Sequence, residues 1–565
     1  MPLKPIFEKA PLTNLNAQPL CAGTARTDNA KLKMLLEQLR GETAPEALEG
    51  AFRLTCLLQA DPDQSEAAAN IRRALSGQKA DGSFDLPLSG AVALMRAAWA
   101  MYEYEARRPL LQPIMQWVSW LAQNWEAAMK DDAIWANPAD LMELLENLYR
   151  VTGKAPLLTM VNRLSQQAMN WAGVLNTINV QRPTNRAITR EELETCLSIE
   201  QGSRDGYYNQ FLRTNSAESL ADGARACMAR GWASGSATEL NAARNGWERL
   251  TRHHSAICGG LTSDELLEGA SPSAAVSTAA LGAWAEALTN VAKGTHADWV
   301  WEPLERMAVN AIPACVSAAG VLPFQRVNAL TAQPSDADCF RVTADHSKRA
   351  LYRLARGCAA MASATVMACP DGFAVNLYIP GRYMVTKGDS ALVLTLRESA
   401  GQCSILVSCK QQVKASARLR VPSWARNAEI AVNGMESDAG KDCSAAFMTI
   451  ERTWHDGDVI TVSLEETLRV LEGHHQGRCV LKGARVMCLP VQGNDWAKCL
   501  VSVAETDEGV VARVDDVPDW KRKGDVPADV PVLPAASGRD LQAVRLVPYA
   551  SAGARIALFP GRKQA

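Results

Sequence analysis

The feature that most constrains this chain is a change of period. Over roughly the first two-thirds of the chain apolar side chains recur at helical spacing, whereas from about Asp371 they fall in short β-rich runs. The helical segments read LKMLLEQL (32–39), EAAANIRRALSGQ (66–78), GAVALMRAAWAMYEYEA (90–106), LLQPIMQWVSWLAQNW (110–125), DLMELLENLYRVTG (140–153), PLLTMVNRLSQQAMNW (156–171), SLADGARACMARGWA (219–233) and VSTAALGAWAEALTNVA (276–292). Turn signals such as KADGSF (79–84) and VTGKAP (151–156) separate them. Short loops between amphipathic helices imply antiparallel pairs stacked in sequence, and about a dozen such helices suit a closed (α/α) toroid. The strand signals are FAVNLYI (373–379), SALVLTL (390–396), CSILVSC (403–409), ARLRVP (417–422), AEIAVNG (428–434) and DVITVSL (458–464). Their spacing predicts an antiparallel β-sandwich.

The expected divisions are an N-terminal segment (1–30), a toroid (31–368), a sandwich (369–505), and an acidic, Pro-rich excursion with closing strands (506–565). A chain of 565 residues is longer than one core serves, which fits several domains.

Charge and cysteine usage exclude some roles. The net charge is −2, so no basic excess points to nucleic acid. No apolar run reaches the length of a signal h-region or a membrane span, so a cytoplasmic protein with no membrane partner is expected. The 15 cysteines are scattered, with no CxxC and no Cys/His cluster at zinc spacing. They read as reduced, buried, small hydrophobes.

Several strings, in order along the chain, resemble glycoside hydrolase family 127, the β-L-arabinofuranosidase-like group. ENLYRVTGKAPLLTMVNRLSQQAMNW (146–171) is similar to its LYxxTG helix pair, and GGLTSDELLEGASPS (259–273) to its GxFSGDExLxGxSPS loop. DGFAVNLYIPG (371–381), RVPSWARNAEIAVNG (420–434), ERTWHDGDVITVSL (451–464) and RLVPYASAGARIALFP (545–560) resemble further family segments. The first 130 residues match loosely, through IRRALSGQKADGSF (71–84).

The resemblance implies a toroid followed by β-sandwich material, an N-terminal segment packing back on the β region, and activity on glycosides. It also implies a glutamate acid/base, a cysteine thiolate nucleophile, and a zinc ion held by one glutamate and three cysteines. Zinc lowers a thiol's pKa enough for the nucleophile to exist at neutral pH. Carried over residue by residue, Glu265 takes the acid/base position. The four zinc positions fall on Ser277, Ala279, Arg349 and Ala350, none of them a suitable ligand. The expectation is therefore a divergent member with no cofactor. A shifted site drawing on Cys258, Cys339, Cys358 or the His253–His254 pair is the alternative.

Asp264 is a second, weaker catalytic candidate beside Glu265. Arg349 places a guanidinium where the family has a thiolate, suited to pairing with Glu265 or gripping an acidic sugar group. Trp135 is a stacking candidate, and His253, His254 and Tyr208 are further substrate-binding candidates. Asp140 and Glu143 read as helix-start acids facing solvent, with an inward orientation as the alternative. Three readings stay open: a hydrolase working without cysteine and zinc, a glycan-binding pseudoenzyme, and a lyase for acidic glycans drawing on the Tyr207–Tyr208 and His253–His254 pairs with Arg349.

Overall fold

A computed structural model describes residues 18–19, 24–58, 61–184, 190–199, 206–294, 298–329, 346–399, 401–436, 446–472, 477–491, 498–516 and 541–559. Cys339 and most of the acidic, Pro-rich excursion lie outside these residues.

Six helices form a closed ring. They are α1 (Pro45–Leu58), α2 (Leu88–Glu105), α3 (Ala139–Thr152), α4 (Ala217–Ser234), α5 (Thr278–Ala292) and α6 (His346–Ser363). Each packs on the next in chain order, and α6 returns to α1. Outer helices such as Glu66–Leu75, Leu111–Gln123, Pro156–Gln167 and Ala237–His254 back onto the ring. This is the expected toroid. Both faces of the ring helices are covered; every residue of α5 is buried.

Close approach between α5 and α6 requires glycine. A Cβ at Gly357 would lie 2.2 Å from the Gly282 carbonyl oxygen, and one at Gly282 would lie 2.3 Å from the Arg353 oxygen. Their absence lets the two backbones touch, and this contact closes the ring.

The helix expected over 156–171 divides in two. Pro156–Gln167 ends, and Asn170 caps a new helix, Trp171–Thr177, by accepting the Gly173 N–H. Helices Pro45–Leu58 and Ala237–His254 were not foreseen from period alone. The segment 275–277 is a short strand, and Ser277 then caps α5.

The β region begins with a two-sheet sandwich. One sheet runs Gln18–Pro19, Val366–Cys369, Gly372–Val375, Val413–Arg420, Phe447–Trp454. The other runs Met435–Glu436, Ala425–Val432, Val459–Glu466, Gln402–Cys409, Ser390–Ser399, Gly381–Lys387, Ala25–Arg26. The sandwich is not wholly antiparallel, because Gly372–Val375 pairs parallel with Val413–Arg420. The strand expected over 373–379 stops at Val375, where Asn376 turns to bond the Ala364 and Thr365 backbone. The N-terminal segment contributes a short edge strand to each sheet: Gln18–Pro19 pairs with Met367–Ala368, and Ala25–Arg26 with Arg382–Tyr383.

A second β unit follows. Leu468–Glu472, Arg478–Lys482, Arg485–Pro490 and the closing strands Val547–Pro548 and Arg555–Ile556 form one sheet. Lys498–Thr506, Gly509–Asp516 and Gln542–Arg545 form another. Buried Arg420 joins the sandwich to the toroid, donating to Asp298 at 2.8 Å and Glu305 at 2.9 Å. No helix among the described residues is long and apolar enough to cross a membrane.

Candidate active site

The loop between the outer helix Ala237–His254 and α5 carries Glu265 to the N-terminal mouth of the ring. Sequence forces its path. Gly259 adopts φ 102°, and a Cβ there would sit 2.6 Å from the Met307 amide nitrogen. Short bridges then tie Ser255 to Leu261, Ser216 to Leu266, and Ser263 to both Leu267 and Val276. Ser263 and Leu267 thus pair across a tight turn, with Asp264 and Glu265 in the bend between them. Asp264, Leu266 and Leu267 go into the interior, and Glu265 is the one half-buried residue between Leu261 and Gly269.

His254 braces the loop from beneath. It is fully buried. Its Nδ1 accepts the Gly269 N–H at 3.0 Å, which assigns the proton to Nε2, and Nε2 donates to the Val180 oxygen at 2.8 Å. Burial drives its pKa down to about 4, so the ring is neutral at ordinary pH. Glu268 completes the brace by accepting the Ala275 N–H.

Arg349 stands in the first turn of α6 and reaches across the mouth. It bonds Glu218 on α4 at 2.8 Å and lies 3.9 Å from the Glu265 carboxylate. Attraction to Glu218 outweighs burial and holds its pKa above the usual arginine value. One turn deeper, Arg353 bonds Glu218 at 3.1 Å and also Asp222. Arg349 and Arg353, at i and i+4 on α6, thus face Glu218 and Asp222 at i and i+4 on α4.

Below the mouth the lumen is closed by ions. Arg225, wholly buried, places Nη2 within 2.7 Å of Asp140, 2.6 Å of Glu143 and 3.1 Å of Glu286. Arg356 bonds Asp140 and Glu286, and Arg96 bonds Glu49, Glu143 and Glu286. Asp140, Glu143 and Glu286 are close enough to hold a metal ion. The Arg225 guanidinium already takes the position a cation would fill. Burial alone would raise the Glu143 pKa; Arg225 and Arg96 outweigh it and set it at about 2. Asp140 and Glu143 therefore face the lumen rather than solvent.

The other expected residues scatter. Ala350 and Ala279 are buried, and the Ser277 hydroxyl accepts the Ala280 N–H. These residues and cationic Arg349 do not fit the zinc the resemblance implies. Cys258, Cys315 and Cys358 are deeply buried, which pushes their thiols up, Cys315 to about 12. None is set up as a thiolate ligand. Trp135 is half-buried on the helix Asp132–Ala136, and His253 is half-buried at the end of its helix. Tyr208 lines a groove with Tyr207, Phe211, Glu191 and Thr195, between the helices Arg190–Ile199 and Tyr207–Asn215. Both ring nitrogens of His254 are spent on the loop and its support.

Glu218, Asp222, Arg353 and the lumen ions other than Asp140 and Glu143 escaped the sequence reading. Their signal was present: single charges inside otherwise apolar helices, such as Arg96 in GAVALMRAAW and Glu286 in GAWAEALTN.

The fold defined by this ring and sandwich is that of solved glycoside hydrolases. A structure described as a glycoside hydrolase superposes with TM-score 0.72 at 14% identity, covering 98% of each chain. The GH127 beta-L-arabinofuranosidase Ara127N-Se from Geobacillus Stearothermophilus T6 gives 0.65 at 16% identity, covering 94% of this chain and 91% of its own. A further GH127 beta-arabinofuranosidase gives 0.57 at 15% identity, over 97% and 98%. In sequence, residues 372–466 match the family described as Beta-L-arabinofuranosidase, GH127 middle domain. The chain is GH127-like, with the sandwich as its family-matching part. No curated protein matches it.

Proposed function

We propose that this chain is a glycoside hydrolase-like, carbohydrate-active protein that takes a glycan at the N-terminal mouth of the ring and cleaves it without metal or thiolate. The observation that carries this reading is that two carboxylates, Glu265 and Glu218, meet one guanidinium, Arg349, on rigid supports. Glycoside cleavage needs a proton donor for the leaving oxygen and a second carboxylate as nucleophile or base. Glu265, in the loop that resembles the family's acid/base loop, is assigned the first role, and Glu218 the second. Arg349 would orient both and contact the sugar.

A second reading has its own support. Arg349 lies against both acids, so the mouth also suits a protein that binds a glycan and does not turn it over. Product release from a broad panel of glycosides, including L-arabinofuranosides and uronate-containing oligosaccharides, with and without chelator, separates the readings. Turnover unaffected by chelator is the expected result. Binding with no turnover on any member would transfer the conclusion to the second reading. Turnover abolished by chelator would contradict both.

A further inference from the structure

The ions that close the lumen below the mouth are also the floor of a second cavity, toward the C-terminal ends of the ring helices. Its volume is about 140 Å³, room for a small molecule rather than one water. Helical period builds its wall. Glu143 on α3, Glu286 on α5 and Arg356 on α6 belong to the floor. Four residues beyond Glu143 comes Asn147, seven beyond Glu286 comes Lys293, and seven beyond Arg356 comes Ser363, all lining the same cavity. These spacings keep one face of each helix turned inward from floor to rim. The three rim residues are half-buried.

Among the described residues, five cations line the cavity, Arg53, Arg96, Arg150, Lys293 and Arg356, against four carboxylates. All four carboxylates are committed to guanidinium groups. Glu49 lies 3.0 Å from Arg53 and 2.7 Å from Arg96, and Glu103 lies 2.6 Å from Arg53. Glu143 lies 2.6 Å from Arg225 and Glu286 2.8 Å from Arg356. The Lys293 ammonium makes no hydrogen bond and no ion pair among the described residues, and the side chains of Asn147 and Ser363 make no hydrogen bond there. Glu146 is a further carboxyl that Lys293 feels, but burial raises its pKa well above the ordinary value and favours its uncharged form. Lys293 follows the last residue of α5, where the helix dipole favours a cation. That accounts for the residue type and still leaves its ammonium without a bonded acceptor. Burial disfavours the ammonium and lowers its pKa. A partly desolvated cation of this kind is stabilised when an anion arrives.

We infer that this cavity is a second ligand site, which takes a small oxyanion, a carboxylate or a phosphate-like group, on Lys293, with Asn147 and Ser363 as hydrogen-bonding partners. An ammonium offers three rotatable donors to such a group, and an amide and a hydroxyl can donate to its remaining oxygens. The floor carboxylates do not repel it as free charges, because each is neutralised by its guanidinium partner. The site is separated from the mouth by the lumen ions and does not depend on a glycan binding there. Lys293 is a binding residue and is assigned no bond-making step.

The test uses the full-length protein, with Lys293→Met, Ser363→Ala and, as a control for the mouth, Arg349→Gln. The probes are inorganic phosphate, inorganic sulfate and malonate, each titrated calorimetrically against chloride of the same ionic strength. The parent should bind at least one of them saturably. Lys293→Met should weaken that binding by about ten- to a hundred-fold, the scale of a charge-assisted hydrogen bond. Ser363→Ala should weaken it by a smaller factor, and Arg349→Gln should bind as the parent does. Whether malonate or a tetrahedral anion binds more tightly identifies the group. No binding of any probe by the parent would overturn the site. Binding unchanged in Lys293→Met would overturn it as well, and binding lost in Arg349→Gln alone would move the anion to the mouth. Unfolding midpoints in chloride separate a ligand site from a purely structural cation. Lys293→Met removes a cation with no bonded acceptor and should unfold at or above the parent's midpoint. A marked fall would make Lys293 a partner of the lumen carboxylates and overturn the proposal.

Discussion

At the residue scale, the fate of each candidate turns on which way one side chain points. SDELL in the loop looks like a paired acid motif, yet the tight turn between Ser263 and Leu267 sends Asp264 inward and Glu265 to the mouth. The sequence names the right loop but carries no signal for that division, because the bridges that fix it come from Ser216 and Val276, distant in the chain. His254 shows the same limit. Adjacent histidines invite a ligand or catalytic role, and the buried one proves to be a strut. Its pKa of about 4 lies below the unfolded value of 6.5. Between those values the unfolded chain binds the extra proton, so stability should be full above about pH 6.5 and fall as pH drops to about 4. The slope should be on the order of 1 kcal/mol per pH unit in that window. His254→Gln should flatten it, read by urea unfolding at a series of pH values. A persistent slope would assign it to other groups. Glu143, held at about 2 against 4.5, acts in a lower window: its contribution is present above about pH 4.5 and is lost as pH falls through about 2.

Arg225 gives the largest effect expected of one residue. It is fully buried and serves Asp140, Glu143, Asp222 and Glu286. Arg225→Met leaves those carboxylates under-compensated and should destabilise the chain by roughly 3–5 kcal/mol. An unfolding midpoint unchanged by the substitution would show that the network relaxes or admits water.

At the scale of elements, the ring depends on how closely α5 and α6 approach. Gly357→Ala should force them apart, costing about 1–3 kcal/mol by overpacking, with Gly282→Ala similar. Both substitutions raise helix propensity, so a gain in stability instead would contradict the close contact. Period made most ring helices legible, since an apolar stripe repeats whatever the tertiary setting. It was weak for Pro45–Leu58, where Glu49 and Arg53 point into the lumen and break the stripe that marks a helix. Internal charges of this kind are the mark of the ring interior, and they blurred the very pattern used to find helices. Strand signals located the sandwich well. They could not reveal the parallel pairing of Gly372–Val375 with Val413–Arg420, because side-chain alternation is the same for both pairings.

For the whole molecule, the N-terminal segment is a tie. Ala25–Arg26 covers the edge strand Gly381–Lys387, and Gln18–Pro19 covers Val366–Cys369. Thr27 adds a bond to the Pro380 oxygen. Removing residues 1–28 should uncover both edges, lower the unfolding midpoint and promote association through strand pairing, measured by light scattering. A truncated chain as stable and monodisperse as the parent would make the segment dispensable. The toroid's closure rests on long-range contacts, and no single stretch of sequence records it. The same holds for the mouth, where Glu265, Glu218 and Arg349 come from three distant segments and only two of them stood out when read alone.

The central claim, that Glu265 at the ring mouth acts on a glycan, is tested most directly by Glu265→Gln. The measurement is turnover of whichever panel glycan the parent protein cleaves, in chelator, alongside binding of the same glycan. The account predicts cleavage by the parent, a loss of at least about 100-fold in kcat for the variant, and binding that survives. Undiminished turnover by Glu265→Gln would contradict it.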